Sequence, residues 1–343
     1  MSRRSLLELQ MNQLDSLRAS SIVVADTGDI EAIAHFRPRD ATTNPSLLLQ
    51  AAQMPAYRHL VDDALEYAAH AGRDDASRTE LALEKLAVNF GTEVLRHVEG
   101  RVSTEVDAAL SFDIEGTLRK ANRLMALYDQ AGVAPERVLI KIASTWEGIR
   151  AASRLEREDI RCNLTLLFGF GQAAACADAG VTLVSPFVGR IYDWHRAARH
   201  VDDIPADEDP GVASVRRIYD YFKKHGYRTE VMAASFRKTE QVLHLAGCDL
   251  LTISPELLAK LAATSGTVAR RLSPESAGAS EDERQLVTES RFRWLLNEDE
   301  MANDKLGEGI RRFHEDTLRL TRFMRDHLAT STSEPGAISA EAI

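Results

Sequence analysis

A (β/α)8 TIM barrel with additional N- and C-terminal helices is the fold this sequence predicts, on three observations. Eight short apolar segments recur along the 343 residues, mostly separated by helical stretches. Such alternation implies a parallel sheet, and eight units close into a barrel. In the central segment Val138, Ile140 and Ile142 alternate with Leu139, Lys141 and Ala143, the pattern of a strand buried on both faces. No G-x-G-x-x-G follows the first strand and no P-loop occurs, so an open nucleotide-binding sheet is the weaker choice. Residues 1–329 are expected to form one barrel domain, and 330–343, small, polar and Pro/Gly-containing, a disordered tail.

Taken in order, the N-terminus reads as an amphipathic helix to about Ala19. Residues 21–26 are strand one, closed by Thr-Gly-Asp, and Asp29 can cap a helix through Phe36. Strand two is 40–44, stopped by Pro45; 45–100 holds two or three helices broken near Gly72 and Gly91. Strand three is 101–107, and 114–132 is a helix with Gly132 at its end. The lysine strand follows, then a helix over 148–157, strand five over 161–168, and a helix over 172–179 ended by Gly180. Strand six is 181–187, followed by Val-Gly-Arg and an acidic helical segment, 193–226, whose main helix is 209–226. Strand seven is 229–234, leading into Ser-Phe-Arg; 239–246 is a short helix, 249–254 strand eight and 255–263 a helix. Residues 264–290 read as a loop and 298–328 as a long C-terminal helix.

Composition narrows the function. A net charge of −10 argues against general nucleic-acid or anionic-membrane binding, and no apolar run reaches membrane-spanning length. The N-terminus lacks an apolar signal core. Cys162, Cys176 and Cys248 are an odd, scattered set that fits reduced cysteines in a cytosol. The ten histidines show no H-E-x-x-H or paired ligand spacing, so a zinc site is unsupported.

Lys141 is the anomaly. Lysine is rarely buried unpaired, because its charge is costly to desolvate. Two readings stand. The lysine reaches water or pairs with a carboxylate; or it loses its proton and serves as a nucleophile toward carbonyls. The chain has 34 arginines and only 8 lysines, and an arginine cannot form a Schiff base. If Lys141 points into the barrel, period two turns Asp26, Asn44, Glu105, Asn163, Thr165 and Ser185 inward as well. Each alone is an ordinary cap or turn residue. Together, Asp, Glu and Lys inside a barrel are expensive without a task. Arg190 and Arg237 follow strands six and seven, where barrels of this class often bind phosphate; solvated surface arginines are the alternative.

These stretches resemble the transaldolases, specifically a long branch of about this size. The matching residues are Ala25-Asp-Thr-Gly-Asp29, Ala41-Thr-Thr-Asn-Pro-Ser46, Val102-Ser-Thr-Glu-Val-Asp107, Ile140 to Ile149, Asn163-Leu-Thr-Leu-Leu-Phe168, Ser185 to Trp194 and Ala234-Ser-Phe-Arg237. Asn303-Asp-Lys-Leu also looks like the family. One departure is Phe168-Gly-Phe-Gly, where the family often has Ser and Ala, which implies a looser loop after strand five.

The resemblance implies a cytoplasmic pentose-phosphate-pathway enzyme acting on sugar phosphates as a homodimer. It would move a dihydroxyacetone unit from sedoheptulose 7-phosphate to glyceraldehyde 3-phosphate. Lys141 would be the Schiff-base lysine, Asp26 the base for the C4 hydroxyl, and Glu105 a proton shuttle through a water held by Thr165. Asn44, Asn163 and Ser185 would bind the dihydroxyacetone hydroxyls, and Arg190, Ser235 and Arg237 the phosphate. Phe187 would border the substrate. Small hydrolytic aldolases of similar type carry a tyrosine on strand six and a glutamine on strand three, where this chain has Phe187 and Glu105. That contrast favours transfer over release of free dihydroxyacetone. A non-catalytic sugar-phosphate-binding barrel is the remaining alternative.

Overall fold

The computed structural model describes residues 11–331. Eight parallel strands form a closed barrel in sequence order: β1 (Ile22–Asp26), β2 (Asp40–Thr42), β3 (Val102–Glu105), β4 (Val138–Ala143), β5 (Cys162–Leu167), β6 (Leu183–Pro186), β7 (Glu230–Ala233) and β8 (Leu250–Ile253). β8 pairs back onto β1 and closes it. Helices lie between the strands, so the expected fold is the one found.

Period two sorts each strand. In β4, Val138, Ile140 and Ile142 join the large core between strands and helices. Leu139 instead meets Val24, Leu183, Met232 and Leu250 in a small apolar layer inside the barrel. Lys141 is two residues beyond Leu139, so it stands on that apolar floor, toward the C-terminal mouth. The opposite end is tied by Arg101, whose guanidinium bridges Asp40 at 3.1 Å and Glu230 at 2.7 Å.

Several boundaries differ from expectation. β2 ends at Thr42, because Asn44 turns out of the strand and caps the helix Pro45–Ala52, accepting a hydrogen bond from Leu47 N. Pro45, at the first helical position, starts that helix as much as it stops the strand. The break near Gly72 is present, between helices Arg58–Ala71 and Asp75–Leu95. Gly91 breaks nothing: it lies inside the second of these, where a Cβ would collide with the Tyr128 hydroxyl. Val-Gly-Arg after β6 begins the helix Val188–Ala198, earlier than the expected helical start at 193. The 264–288 part of the expected loop is irregular apart from a short helix, Pro274–Ala277.

The expected C-terminal helix is found as Glu300–Ser331, and a further helix, Glu289–Glu298, which was not expected, precedes it, the two separated at Asp299. The longer one runs past the expected end at 328. It lies across the mouth, where Met301, Ala302, Leu306 and Phe313 pack on Ala143, Leu166, Phe168 and Phe187. Residues 1–10 of the expected N-terminal helix and 332–343 of the expected tail lie outside the described residues; Gln13–Arg18 is helical.

Candidate active site

Strand register assembles the centre. Glu105 on β3, Lys141 on β4 and Asn163 on β5 are direct neighbours across the sheet. The Lys141 side chain is 6% exposed; its Nζ lies 3.0 Å from Glu105 Oε2 and donates to Thr43 O at 3.2 Å. Asp26, at the end of β1, accepts from Thr42 Oγ1 at 3.3 Å, and Thr42 Oγ1 is 3.2 Å from Thr252 Oγ1 on β8. Burial pushes both the Asp26 and the Glu105 carboxyls above the usual carboxylate range, while the Lys141 ammonium pulls each back down. Two carboxyls that resist ionising therefore flank one amine, an arrangement suited to passing protons.

Below this level Asn163 is wholly buried and bonded at both ends of its amide. Its Nδ2 donates to Ser103 Oγ at 3.0 Å, and its Oδ1 accepts from Ser185 Oγ at 2.6 Å. Thr165 Oγ1 is buried with no hydrogen-bond partner among the described residues. It sits where β5 is irregular: the pairing with β6 shifts register between Leu164 and Leu167, and Leu166 takes a left-handed φ of 52°. That conformation is costly for a leucine, and such outliers gather at functional sites.

Toward solvent, Asp26, Asn44, Lys141, Ser185, Phe187, Arg190 and Ser235 line a narrow cavity of about 70 Å³. Glu105, Asn163, Thr165 and Arg237 do not line it; Arg237 reaches it only through its bond to Ser235. Arg190 is held between two rings, with its guanidinium carbon 4.9 Å from the centre of Phe187 and 5.3 Å from that of Phe313. Burial, with Arg312 and Arg237 nearby, brings its guanidinium down to about 10. Ser235 has a left-handed φ of 64°. Arg237 is forked onto Asp193, by Nε at 2.9 Å and Nη2 at 2.8 Å, while Nη1 donates to Ser235 O at 3.0 Å. Its own N–H donates to Gln241 Oε1, which fixes the loop.

Five cavity residues escaped the sequence reading: Thr42, Met232, Ala234, Thr252 and Phe313. Thr42 was within reach, since period two along β2 gives it the parity of Asn44. Thr252 and Met232 lie on strands that carried no chemical signal. Phe313 lies on a distant helix, and nothing local marks where that helix docks. The looser loop expected at Phe168-Gly-Phe-Gly is not found. A Cβ on Gly171 would come within 2.9 Å of Leu295, and one on Gly169 within 3.1 Å of Ala302 Cβ. These glycines admit close packing of the C-terminal helices. Among the described residues no group of three or more His, Cys, Asp or Glu side chains forms a metal site, and all three cysteines are buried free thiols.

The family model described as Transaldolase/Fructose-6-phosphate aldolase matches residues 23–323. A transaldolase of Marinobacter nauticus is 57% identical over 314 residues, 92% of this chain and 98% of that protein. Transaldolase A of Escherichia coli K12 is 56% identical over 90% of this chain and 98% of its own length. Transaldolase B of Pasteurella multocida is 55% identical over 93% of this chain and its whole length. The chain therefore belongs to the transaldolase/fructose-6-phosphate aldolase family, and its activity is that of a transaldolase.

Proposed function

We propose that this enzyme moves a dihydroxyacetone unit from sedoheptulose 7-phosphate to glyceraldehyde 3-phosphate, giving erythrose 4-phosphate and fructose 6-phosphate, through a Schiff base on Lys141. The observation that carries the reading is the 3.0 Å pair between a buried lysine and a buried carboxyl, on an apolar floor. Lys141 Nζ adds to the ketose C2, and the carbinolamine loses water to give a protonated imine. Glu105 moves the protons, through a water on the otherwise unpartnered Thr165 hydroxyl. Asp26 takes the C4 hydroxyl proton as C3–C4 breaks. The imine accepts the electron pair as an enamine, so no metal or other cofactor is needed. The aldose leaves, the acceptor aldehyde enters, and the steps run in reverse.

Asn44 and Ser185 bind the dihydroxyacetone hydroxyls, with Asn163 fixing Ser185. Arg190, Ser235 and Arg237 bind the phosphate. Phe187 has no hydroxyl with which to activate water, which favours transfer over release of dihydroxyacetone. The enzyme works in the cytoplasm, in the pentose phosphate pathway, as a homodimer. No helix among the described residues is long and apolar enough to cross a membrane.

Borohydride with fructose 6-phosphate is the test. The expected result is one modified peptide carrying Lys141. No trapped adduct would sink the Schiff-base reading, and modification of another lysine would reassign it.

A further inference from the structure

We infer that Phe313, on the C-terminal helix, decides between transfer and release by shielding the bound three-carbon enamine from solvent protons; this rests on the Lys141 reading above. The two fates of that enamine differ at one atom. In transfer, C3 forms a bond to the acceptor's aldehyde carbon. In release, C3 takes a proton, water then adds to C2, the C–N bond breaks, and dihydroxyacetone and the free amine result. Water at C2 is needed in both routes, since the transfer product also leaves by hydrolysis. Only release needs a proton at C3.

The two sides of Lys141 differ accordingly. Glu105 and Thr165, the groups suited to hold water at C2, do not line the cavity. On the cavity side, by which the acceptor must enter, Phe187, Met232, Ala234 and Phe313 stand beside the polar groups of Asp26, Thr42, Asn44, Ser185, Arg190, Ser235 and Thr252, so the apolar four are what is left to exclude water once substrate occupies the polar ones. Phe313 is 3% exposed and its ring centre is 5.9 Å from Lys141 Nζ. Met301, Ala302 and Leu306 lie with it on the same helix in one apolar cluster. A ring there offers no hydrogen bond that would carry water inward, and it holds Arg190 against Phe187 as a plug. Phe313 is a specificity-determining residue on this view.

The experiment compares F313L, F313V and F313A with the unaltered enzyme. For each, dihydroxyacetone release from fructose 6-phosphate alone is divided by transfer to erythrose 4-phosphate. The ratio does not depend on how much protein is folded. It is expected to climb as the side chain shrinks, least for leucine and by roughly tenfold or more for alanine, as water gains access. Deuterium from heavy water should enter at C3 in the same order. If the alanine variant does not fold, the leucine-to-valine step reads the trend. A flat series in enzymes that borohydride still traps overturns the inference alone; an unaltered enzyme that is not trapped overturns the lysine reading and the inference with it.

Discussion

Lys141, Asp26 and Glu105 fit their proposed parts through surroundings as well as residue type. A lysine is needed at 141 because the imine requires a primary amine, which a guanidinium cannot supply. K141R is expected to fold, since an arginine can keep the pairing with Glu105, but to lose transfer and trapping altogether; measurable turnover would refute the lysine's role. Asp26 must be ionised to take the hydroxyl proton, yet burial holds its carboxyl above the ordinary range. The acid limb of kcat/KM should therefore lie above the ~4 of a free aspartate. The same shift has a stability sign. The folded state keeps these protons to higher pH than the unfolded chain, so stability falls as pH rises through the folded-state values of Asp26 and Glu105. D26N should thus gain melting temperature at neutral pH and gain nothing near pH ~2, well below the ~4 of a free aspartate, where the carboxyl is protonated in both states. An equal gain at both would contradict the raised value. Asp26 and Glu105 were legible because acids at inward positions of apolar strands are rare. Thr252, a hydroxyl on an otherwise silent strand, was not.

At the scale of the element, the strands were readable and their ends were not. Short runs and their turn residues marked all eight, with alternation clear in the first, third, fourth and fifth, but a polar residue at a strand end serves equally as ladder or cap. Asn44 shows how this is resolved: its side chain satisfies the Leu47 N–H, so β2 stops short and the Asn44 amide comes to line the cavity. Gly91 was misread for the opposite reason. Glycine signals a break in isolation, whereas here it admits Tyr128 against the helix. The loop after β7 is the element most tied to substrate class. Gln241 and Asp193 both hold Arg237, and Asp193 already occupies its fork. The phosphate must therefore share or displace that partner. R237A is expected to raise KM for phosphorylated donors by the equivalent of about 1.5–3 kcal/mol, the worth of a charged hydrogen bond, with little change in kcat. An equal loss with unphosphorylated dihydroxyacetone donors would remove Arg237 from the phosphate site.

At the scale of the whole molecule, the C-terminal helix belongs to the catalytic end of the barrel. Its helical character was read from the sequence, but a helix assignment does not say what the helix covers. Glu300–Ser331 carries Met301, Leu306 and Phe313 onto the mouth and Leu320 and Met324 into the main core. Each such side chain contributes about 1.5–3 kcal/mol on burial, and the total rivals the ~5–15 kcal/mol that holds a typical fold together. Removing the helix would also bare Leu166, Phe168 and Phe187 at the mouth. A chain ended after Asp299 is therefore expected to lose the cooperative melting transition and to aggregate, not to persist as an open, slower enzyme. Circular dichroism melts against the full chain check this. A truncated chain that melts cooperatively within a few degrees of it would mean the barrel stands alone, and the helix would then be a detachable cover over Lys141 rather than part of the fold that keeps the amine dry.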